Sequence, residues 1–324
     1  MDKIAIIGGG WVGCHLARVL SLDADVSLYE RNSFLLNETS AINQNRLHYG
    51  YHYARNGSTR ELCKTTFQLF LRDYGHITKN VPNNFYAVSN DESLLDDATI
   101  LSIFRDFPHQ KVAYHPLQNT SLVLNTPERF IDTDAARDYF EQLLWPLLVD
   151  AEVSVDDVEL LKQDYDFVID CTNNSLLRPA NNCFFENVMM MLYTIKKPLP
   201  FGALTYIDGE LFSLYPYLGG RMSLSHVVHG ILSQHASYPS KLYAHNYYQH
   251  RMAMEQHIKQ YWPEFDDYLE PEFPVSSIKA KIKNKSASRM PVAKYEDNLI
   301  SVFTGKIQGI YIIETMVKDF IAQA

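Results

Sequence analysis

Lys3-Ile4-Ala5-Ile6-Ile7 runs directly into Gly8-Gly9-Gly10-Trp11-Val12-Gly13, and Val26-Ser27-Leu28-Tyr29-Glu30 follows one helix length later. The first stretch reads as a buried strand, and Leu16, Val19 and Leu20 supply the apolar stripe of the helix after it. In such a unit each glycine has a task. Gly8 permits the tight turn, Gly10 lets the backbone approach a pyrophosphate, and Gly13 lets the helix pack on the strand. The helix N-terminus, opening at Trp11 and Val12, then turns free N–H groups and a partial positive charge toward the phosphates. Glu30, with Arg31 beside it, stands where a ribose-binding acid belongs. The stretch therefore predicts a bound dinucleotide. The competing reading is a structural glycine turn in some other α/β protein.

The remaining composition narrows the class. The chain has 324 residues, 46% hydrophobic and 21% charged, enough for one large domain or two interleaved ones. No apolar run is long enough to span a membrane, and the chain opens in a strand, so neither a membrane span nor a signal peptide is expected. A net charge of −9 argues against nucleic acid as a partner, although one buried arginine is enough to select a small anion. Cys14, Cys63, Cys171 and Cys183 lack CxxC spacing and read as reduced thiols in a cytoplasmic protein. His226 and His229 have no acid at ligand spacing, so no metal is expected.

Further along, residues 32–60 show neither helical nor strand periodicity and read as a long functional loop. Helical spacing follows at 61–75, a strand at 83–90 and a short helix at 93–106. Asp132 or Thr133 caps a helix that Pro146 ends or kinks. Phe167-Val168-Ile169-Asp170-Cys171 reads as a buried parallel strand running into Thr172-Asn173-Asn174-Ser175. From 184 to 232, turn signals at Lys197-Pro198, Asp208-Gly209 and Gly219-Gly220 separate short strands and predict antiparallel hairpins. A helix is expected at 239–262. The strand at 298–303 leads through Thr304-Gly305-Lys306-Ile307-Gln308-Gly309 into a final helix. The architecture expected is α/β, a Rossmann-like nucleotide domain with an inserted antiparallel-sheet (α+β) domain.

The glycine turn alone does not separate NAD from FAD. The insertion inside the nucleotide fold, the strand ending at Thr172 and a second helix N-terminus after Gly305 favour FAD, because a helix N-terminus stabilises the charge that a reduced flavin gains. These residues resemble the D-amino-acid oxidase type FAD-dependent oxidoreductases over roughly half the chain. Leu47-His48-Tyr49-Gly50-Tyr51-His52-Tyr53 is similar to that family's segment beside the flavin, and Val168-Ile169-Asp170-Cys171-Thr172-Asn173 to its Val-Val-x-Ala-x-Gly strand. There Asn173 replaces a glycine, which asparagine tolerates in a left-handed conformation. Ser288-Arg289-Met290-Pro291 resembles its Arg-Pro motif. Thr304-Gly305-Lys306-Ile307-Gln308-Gly309 departs from its Gly-His-Gly-Gly-x-Gly, with Lys306 in place of histidine. The resemblance implies an FAD domain from 1–80, 127–180 and 286–324, and a substrate domain from 81–126 and 181–285. It also implies an enzyme that moves a hydride from a small amine, amino acid or 2-hydroxy acid to the flavin.

It further implies cofactor contacts at Gly8, Gly10, Trp11, Val12, Gly13, Glu30, Arg31, Asn45, Arg46, Leu47, His48, Thr172, Asn173, Gly305, Lys306 and Ile307. His48 reads as a hydrogen-bonding neighbour of the flavin, a covalent attachment point or a plain loop histidine. Arg46 reads as a phosphate or carboxylate holder, or as a surface ion pair. Arg289 offers a planar fork to a substrate carboxylate, or serves a structural ion pair. Tyr215 and Tyr217, two residues apart on a strand, are expected to line the substrate pocket or to form a core pair, and Tyr51 and Tyr53 carry the same alternatives. Lys306 stands ready to stabilise a reduced flavin or to face solvent. Lys279, Lys281, Lys283 and Lys285 alternate at period two and read as the solvated face of a strand or a guide for an anionic substrate. His48, Tyr215, Arg289 and Lys306 are the expected catalytic set, with Tyr51, Tyr215, Tyr217 and Arg289 around the substrate. Two other functions compete: a redox-neutral sugar-nucleotide mutase, resembling UDP-galactopyranose mutase, and a flavin-binding protein without turnover.

Overall fold

The computed structural model of the chain describes residues 1–177, 183–239, 246–283 and 289–324. Lys285, Ser288 and the 240–245 part of the helix expected at 239–262 lie outside the described residues. Among those described, a six-stranded sheet runs in the order Val292–Glu296, Leu299–Phe303, Phe167–Asp170, Lys3–Ile7, Asp25–Glu30, Leu148–Asp150. Every neighbouring pair is parallel except the first. Lys3–Ile7 is central, with Ile4 to Ile7 buried, which is why its sequence is apolar without alternation. One face is covered by the helices Trp11–Leu20, Thr133–Leu144 and Ile310–Ile321, and the other by Val155–Asp164. The carboxyl ends of the central strands meet at residues 8–10, where sheets of this kind bind ligands.

The second sheet has nine strands among the described residues. Its longest ladder pairs Cys183–Ile195 antiparallel with Leu269–Ile282. The expected hairpins appear as Ala203–Ile207, Phe212–Tyr217 and Arg221–His226, paired in succession. Ala203–Ile207 also pairs parallel with Asn84–Ser89, a non-local seam that turn signals do not reveal. A three-stranded sheet of Arg46–Leu47, Arg129–Ile131 and Thr78–Asn80 completes the architecture. The fold is mixed α/β, as its sequence predicts.

Local boundaries follow their caps. The helix Gly57–Tyr74 begins earlier than its periodicity suggests because the Asn56 side chain accepts from Thr59 N–H at 2.8 Å. The helix expected over 93–106 is only Asp97–Ile103, started by Asp96 on Thr99 N–H. Asp132 caps Thr133–Leu144 as expected. Residues 32–60 are broken into the short turns Glu38–Ser40 and Tyr51–Tyr53 and the two-residue strand Arg46–Leu47. Among the described residues, no helix is long and apolar enough to cross a membrane.

Candidate active site

One cavity of about 1360 Å³ runs from the glycine turn to Lys306 and Arg289. At its first end Gly8 has φ +101°, and a Cβ on Gly13 would lie 1.9 Å from the Gly8 carbonyl oxygen. Only glycine allows this helix to sit this close to the turn. The Trp11 backbone faces the cavity, while its ring is buried among Phe70, Tyr74 and Phe140. Gly10 caps the helix with no side chain, and the first turn holds no acid, so the positive end of the helix is left for an external anion. Ser40 adds a hydroxyl at Trp11 N–H. Glu30 lines the same end, with Oε2 on Gly9 N–H at 2.6 Å and Oε1 on Asn32. Thr172 and Asn173 arrive from the neighbouring strand end, and Asn173 adopts φ +56°, the left-handed conformation expected of it. Their turn is tied by Asp170, which accepts from Thr172 N–H, Thr172 Oγ1 and Leu177 N–H. Burial pushes the Asp170 carboxyl up to about 6 against those hydrogen bonds.

Behind the middle of the cavity lies a buried ionic centre. Arg46 donates to Tyr86 Oη (2.7 Å), Thr205 Oγ1 (2.9 Å) and Ser213 Oγ (2.6 Å), and its guanidinium stacks 3.8 Å from the Tyr215 ring. Glu128 accepts from Tyr86 Oη at 2.5 Å and Tyr49 N–H at 2.7 Å, with Arg46 at 3.8 Å and His48 Nδ1 at 3.7 Å. Burial raises the Glu128 carboxyl, but His48, Arg46 and Tyr86 outweigh it and hold the group at about 2. His48 falls to about 4 through burial and the charge of Lys306, and burial, with His48 and Arg46 beside it, holds His52 well below the ordinary histidine range. At neutral pH, Glu128 is therefore ionised opposite Arg46, and His48 reaches the cavity as a neutral imidazole.

The far end is cationic. Gly305, at φ +65°, lies against the Arg289 backbone so closely that a Cβ would come within 2.4 Å of the Arg289 carbonyl oxygen. Lys306 Nζ sits over the Tyr53 ring at 4.5 Å, ahead of the turn Ile307–Gly309 and the helix Ile310–Ile321. Neither segment carries a side-chain cap or an acid in its first turn. Gln308 donates to the carbonyls of His48 and Cys63, fixing this segment to the His48 loop. Lys279 lines the wall beside them.

Several expected residues are placed elsewhere. Tyr51 is fully buried, donates to the Pro108 carbonyl and packs with Phe104 and Phe107, so it does not face a substrate. Tyr215 is fully buried beneath Arg46, and Tyr217 donates to the Ala41 carbonyl; neither lines the cavity. Leu47 is fully buried in the core. Arg46 is not a surface ion pair, and its terminal nitrogens are committed to protein hydroxyls. Asn45 does line the cavity, in a left-handed conformation at φ +50°. Lys279 and Lys281 line the cavity and do not form a solvated face; Lys283 is exposed at the strand end. Glu128 and Tyr86 carry no local signal of their role, because they come from distant segments whose meeting only the sheets define.

A second polar cluster marks the cavity rim. His226 Nδ1 accepts from Val228 N–H and His229 N–H, so its proton is on Nε2, which donates to His257 Nδ1 at 2.6 Å. His257 Nε2–H then faces Glu92 at 3.0 Å. This arrangement admits His226 only as a neutral ring. Burial, then His229 and His257, lower His226 to about 3. A free histidine titrates near 6.5, so the stability from His226 is complete above that pH and declines as pH falls toward 3. The wild-type urea midpoint is expected to drop between pH 7.5 and 5 by clearly more than that of His226→Asn; parallel drops in the two proteins would refute the account. Among the described residues, no group of three or more His, Cys, Asp or Glu is arranged to hold a metal ion.

Comparisons with known proteins agree with this geometry. Residues 3–101 match the family model DAO, described as FAD dependent oxidoreductase. The chain is 31% identical over 337 residues to the FAD-dependent monooxygenase FPY4 of Fusarium mangiferae, covering 98% of this chain and 91% of that protein. It is 24% identical to the FAD-dependent monooxygenase kojA of Aspergillus flavus, over 95% of this chain and 83% of that one. Its fold is similar to glycine oxidase from Geobacillus kaustophilus, with TM-score 0.71, 11% identity and coverage of 100% and 95% of the two chains. It is also similar to L-alpha-glycerophosphate oxidase from Mycoplasma pneumoniae, a structure with FAD bound, with TM-score 0.73, 14% identity and coverage of 97% and 94%.

Proposed function

The chain belongs to the D-amino-acid oxidase type family of FAD-dependent oxidoreductases, and from that premise we propose that it holds FAD along the cavity and oxidises a small acid at the cavity's cationic end. The observation carrying this reading is the single cavity that joins the uncapped helix after Gly10 to Lys306 and Arg289. Such a volume exceeds the pocket of a drug-sized ligand, which fits a dinucleotide with a small substrate beside it. Gly8, Gly10, Trp11, Val12 and Gly13 hold the pyrophosphate, Glu30 and Arg31 the adenosine half, and Asn45, His48, Thr172, Asn173, Gly305, Lys306 and Ile307 the remainder. When bound, FAD supplies two-electron acceptance from a substrate C–H bond, chemistry that no side chain offers.

The protein's part is placement and charge. Lys306, ahead of an uncapped helix, holds positive charge where a flavin gains negative charge on reduction. His48, kept neutral, contributes a hydrogen bond and adds no charge to an already cationic site. Arg289 orients the substrate carboxylate through two parallel hydrogen bonds.

Purified protein is expected to be yellow and, mixed anaerobically with a panel of amino and 2-hydroxy acids, to lose its flavin absorption with at least one of them. A colourless protein that takes up no added FAD refutes the reading. A second reading follows from the relatives named FAD-dependent monooxygenases. Under it, bleaching requires an external reductant, and the product carries an oxygen atom from O₂.

A further inference from the structure

Acids and bases along the cavity wall do not balance, and the imbalance is local. Glu38 and Glu152 face Arg31, Asp208 pairs with Arg55, and Glu186 is taken by Lys281 and Gln234. Arg46 has Glu128, and Glu30 is engaged by Gly9 and Asn32. Lys279, Arg289 and Lys306 remain, and among the described residues none of the three has an ion-pair partner. The sequence outside those residues, 178–182, 240–245 and 284–288, contains no aspartate or glutamate that could supply one.

The three cations act on one another. Lys279 stands directly across the ladder from Glu186, whose carboxylate is already held by its neighbour Lys281. Burial and the charges of Lys281, Arg289 and Lys306, opposed by Glu186, bring the Lys279 ammonium down to about 8. Like charges in one cavity cost stability unless a ligand neutralises them. Lys306 belongs with the cofactor segment, and the pyrophosphate end has its own helix N-terminus and the Ser40 hydroxyl. Two cations are thus left for whatever else enters.

We infer that the substrate is a dianion, held by Arg289 and Lys279 together; this rests on the proposed oxidation of a small acid in the same cavity. Arg289 suits a planar carboxylate or phosphate face, and Lys279, on the strand Leu269–Ile282 that lines the same cavity, adds a point charge. A dicarboxylate and a phosphate monoester share this chemistry.

The test uses the FAD-loaded enzyme and unreactive acids, read by perturbation of the flavin absorption: propionate as monoanion, malonate and succinate as dicarboxylates, and inorganic phosphate. At pH 7 at least one dianion is expected to bind about tenfold more tightly than propionate, the effect of one added charge-assisted contact. Whether the dicarboxylates or phosphate show the gain identifies the source of the second charge. In wild type the preference should fade above pH 8, as Lys279 loses its proton beside Lys281, Arg289, Lys306 and Glu186. In Lys279→Met, with FAD retained, dianion and monoanion affinities should come within twofold of each other and the pH dependence should vanish. Equal affinities for propionate and every dianion in wild type would overturn the inference and leave the oxidation of a monoacid standing. Loss of FAD from Lys279→Met would reassign that lysine to the cofactor and also overturn it. No response to any acid would overturn both readings.

Discussion

Glu128→Gln is expected to lower folding stability by about 3–5 kcal/mol, the cost of removing one partner from a buried ion pair. Glu128 and Arg46 have side chains almost wholly out of solvent. Removing the carboxylate charge leaves the Arg46 guanidinium with Tyr86, Thr205 and Ser213, hydroxyls that solvate a cation without neutralising it. Glutamine also brings an amide N–H₂ to a site that now receives hydrogen bonds from Tyr49 N–H, Gly50 N–H and Tyr86 Oη. The loss reaches function through the loop. Gly50 sits at φ +122°, and Glu128 is the group fixing its N–H and that of Tyr49, so His48 is displaced when those bonds go. Urea denaturation at saturating FAD checks the magnitude. The companion measurement is a double-mutant cycle with Arg46→Met, where the double variant should recover about 2 kcal/mol of the summed losses because neither charge is left alone. Additive losses would mean that the two residues do not interact.

How much of this centre could be read from the chain is instructive. Local signals carried the nucleotide half: the glycine turn, the capping Asp132, the strand into Thr172 and the strand–glycine–helix at Gly305 each announce themselves within about ten residues, and the structure builds each of them. The polar centre behind the cavity is different in kind. Glu128 stands between two strands, Thr205 and Ser213 look like ordinary strand hydroxyls, and Tyr86 sits in an apolar run; they meet only because Asn84–Ser89 pairs in parallel with Ala203–Ile207. Period-two spacing told that Tyr215 and Tyr217 share strand alternation, but not which face is buried, and Arg46 took the space under Tyr215. The same ambiguity leaves Lys279 open, from sequence, between a solvated face and a guide for an anionic substrate. Alternating lysines normally mark a solvated face, and here Leu269–Ile282 instead turns two of them inward, because the sheet face it shares with its partner strand Cys183–Ile195 lines the cavity.

Gly13→Ala is expected to weaken FAD binding by about 100-fold or more, as the loss of one or two charge-assisted hydrogen bonds would. The added methyl would stand 1.9 Å from the Gly8 carbonyl oxygen, far inside any permitted contact. That oxygen cannot give way. Gly8 is held at φ +101°, where a side chain of its own would crowd the Cys171 carbonyl at 3.1 Å, and its N–H is bonded to the Tyr29 carbonyl. The helix must therefore slide off the strand and carry its N-terminal N–H groups away from the proposed pyrophosphate site, which needs that end correctly aimed. Overpacking itself costs about 1–3 kcal/mol, so the variant should still fold and be testable. Gly75→Ala is the control, because nothing lies within 4 Å of a Cβ there and the backbone is already in a conformation open to alanine. Its FAD affinity should match wild type. Titration of both apoproteins with FAD, alongside far-ultraviolet circular dichroism to establish folding, separates lost binding from lost structure. A folded Gly13→Ala protein that binds FAD within threefold of wild type would move the pyrophosphate site away from this turn.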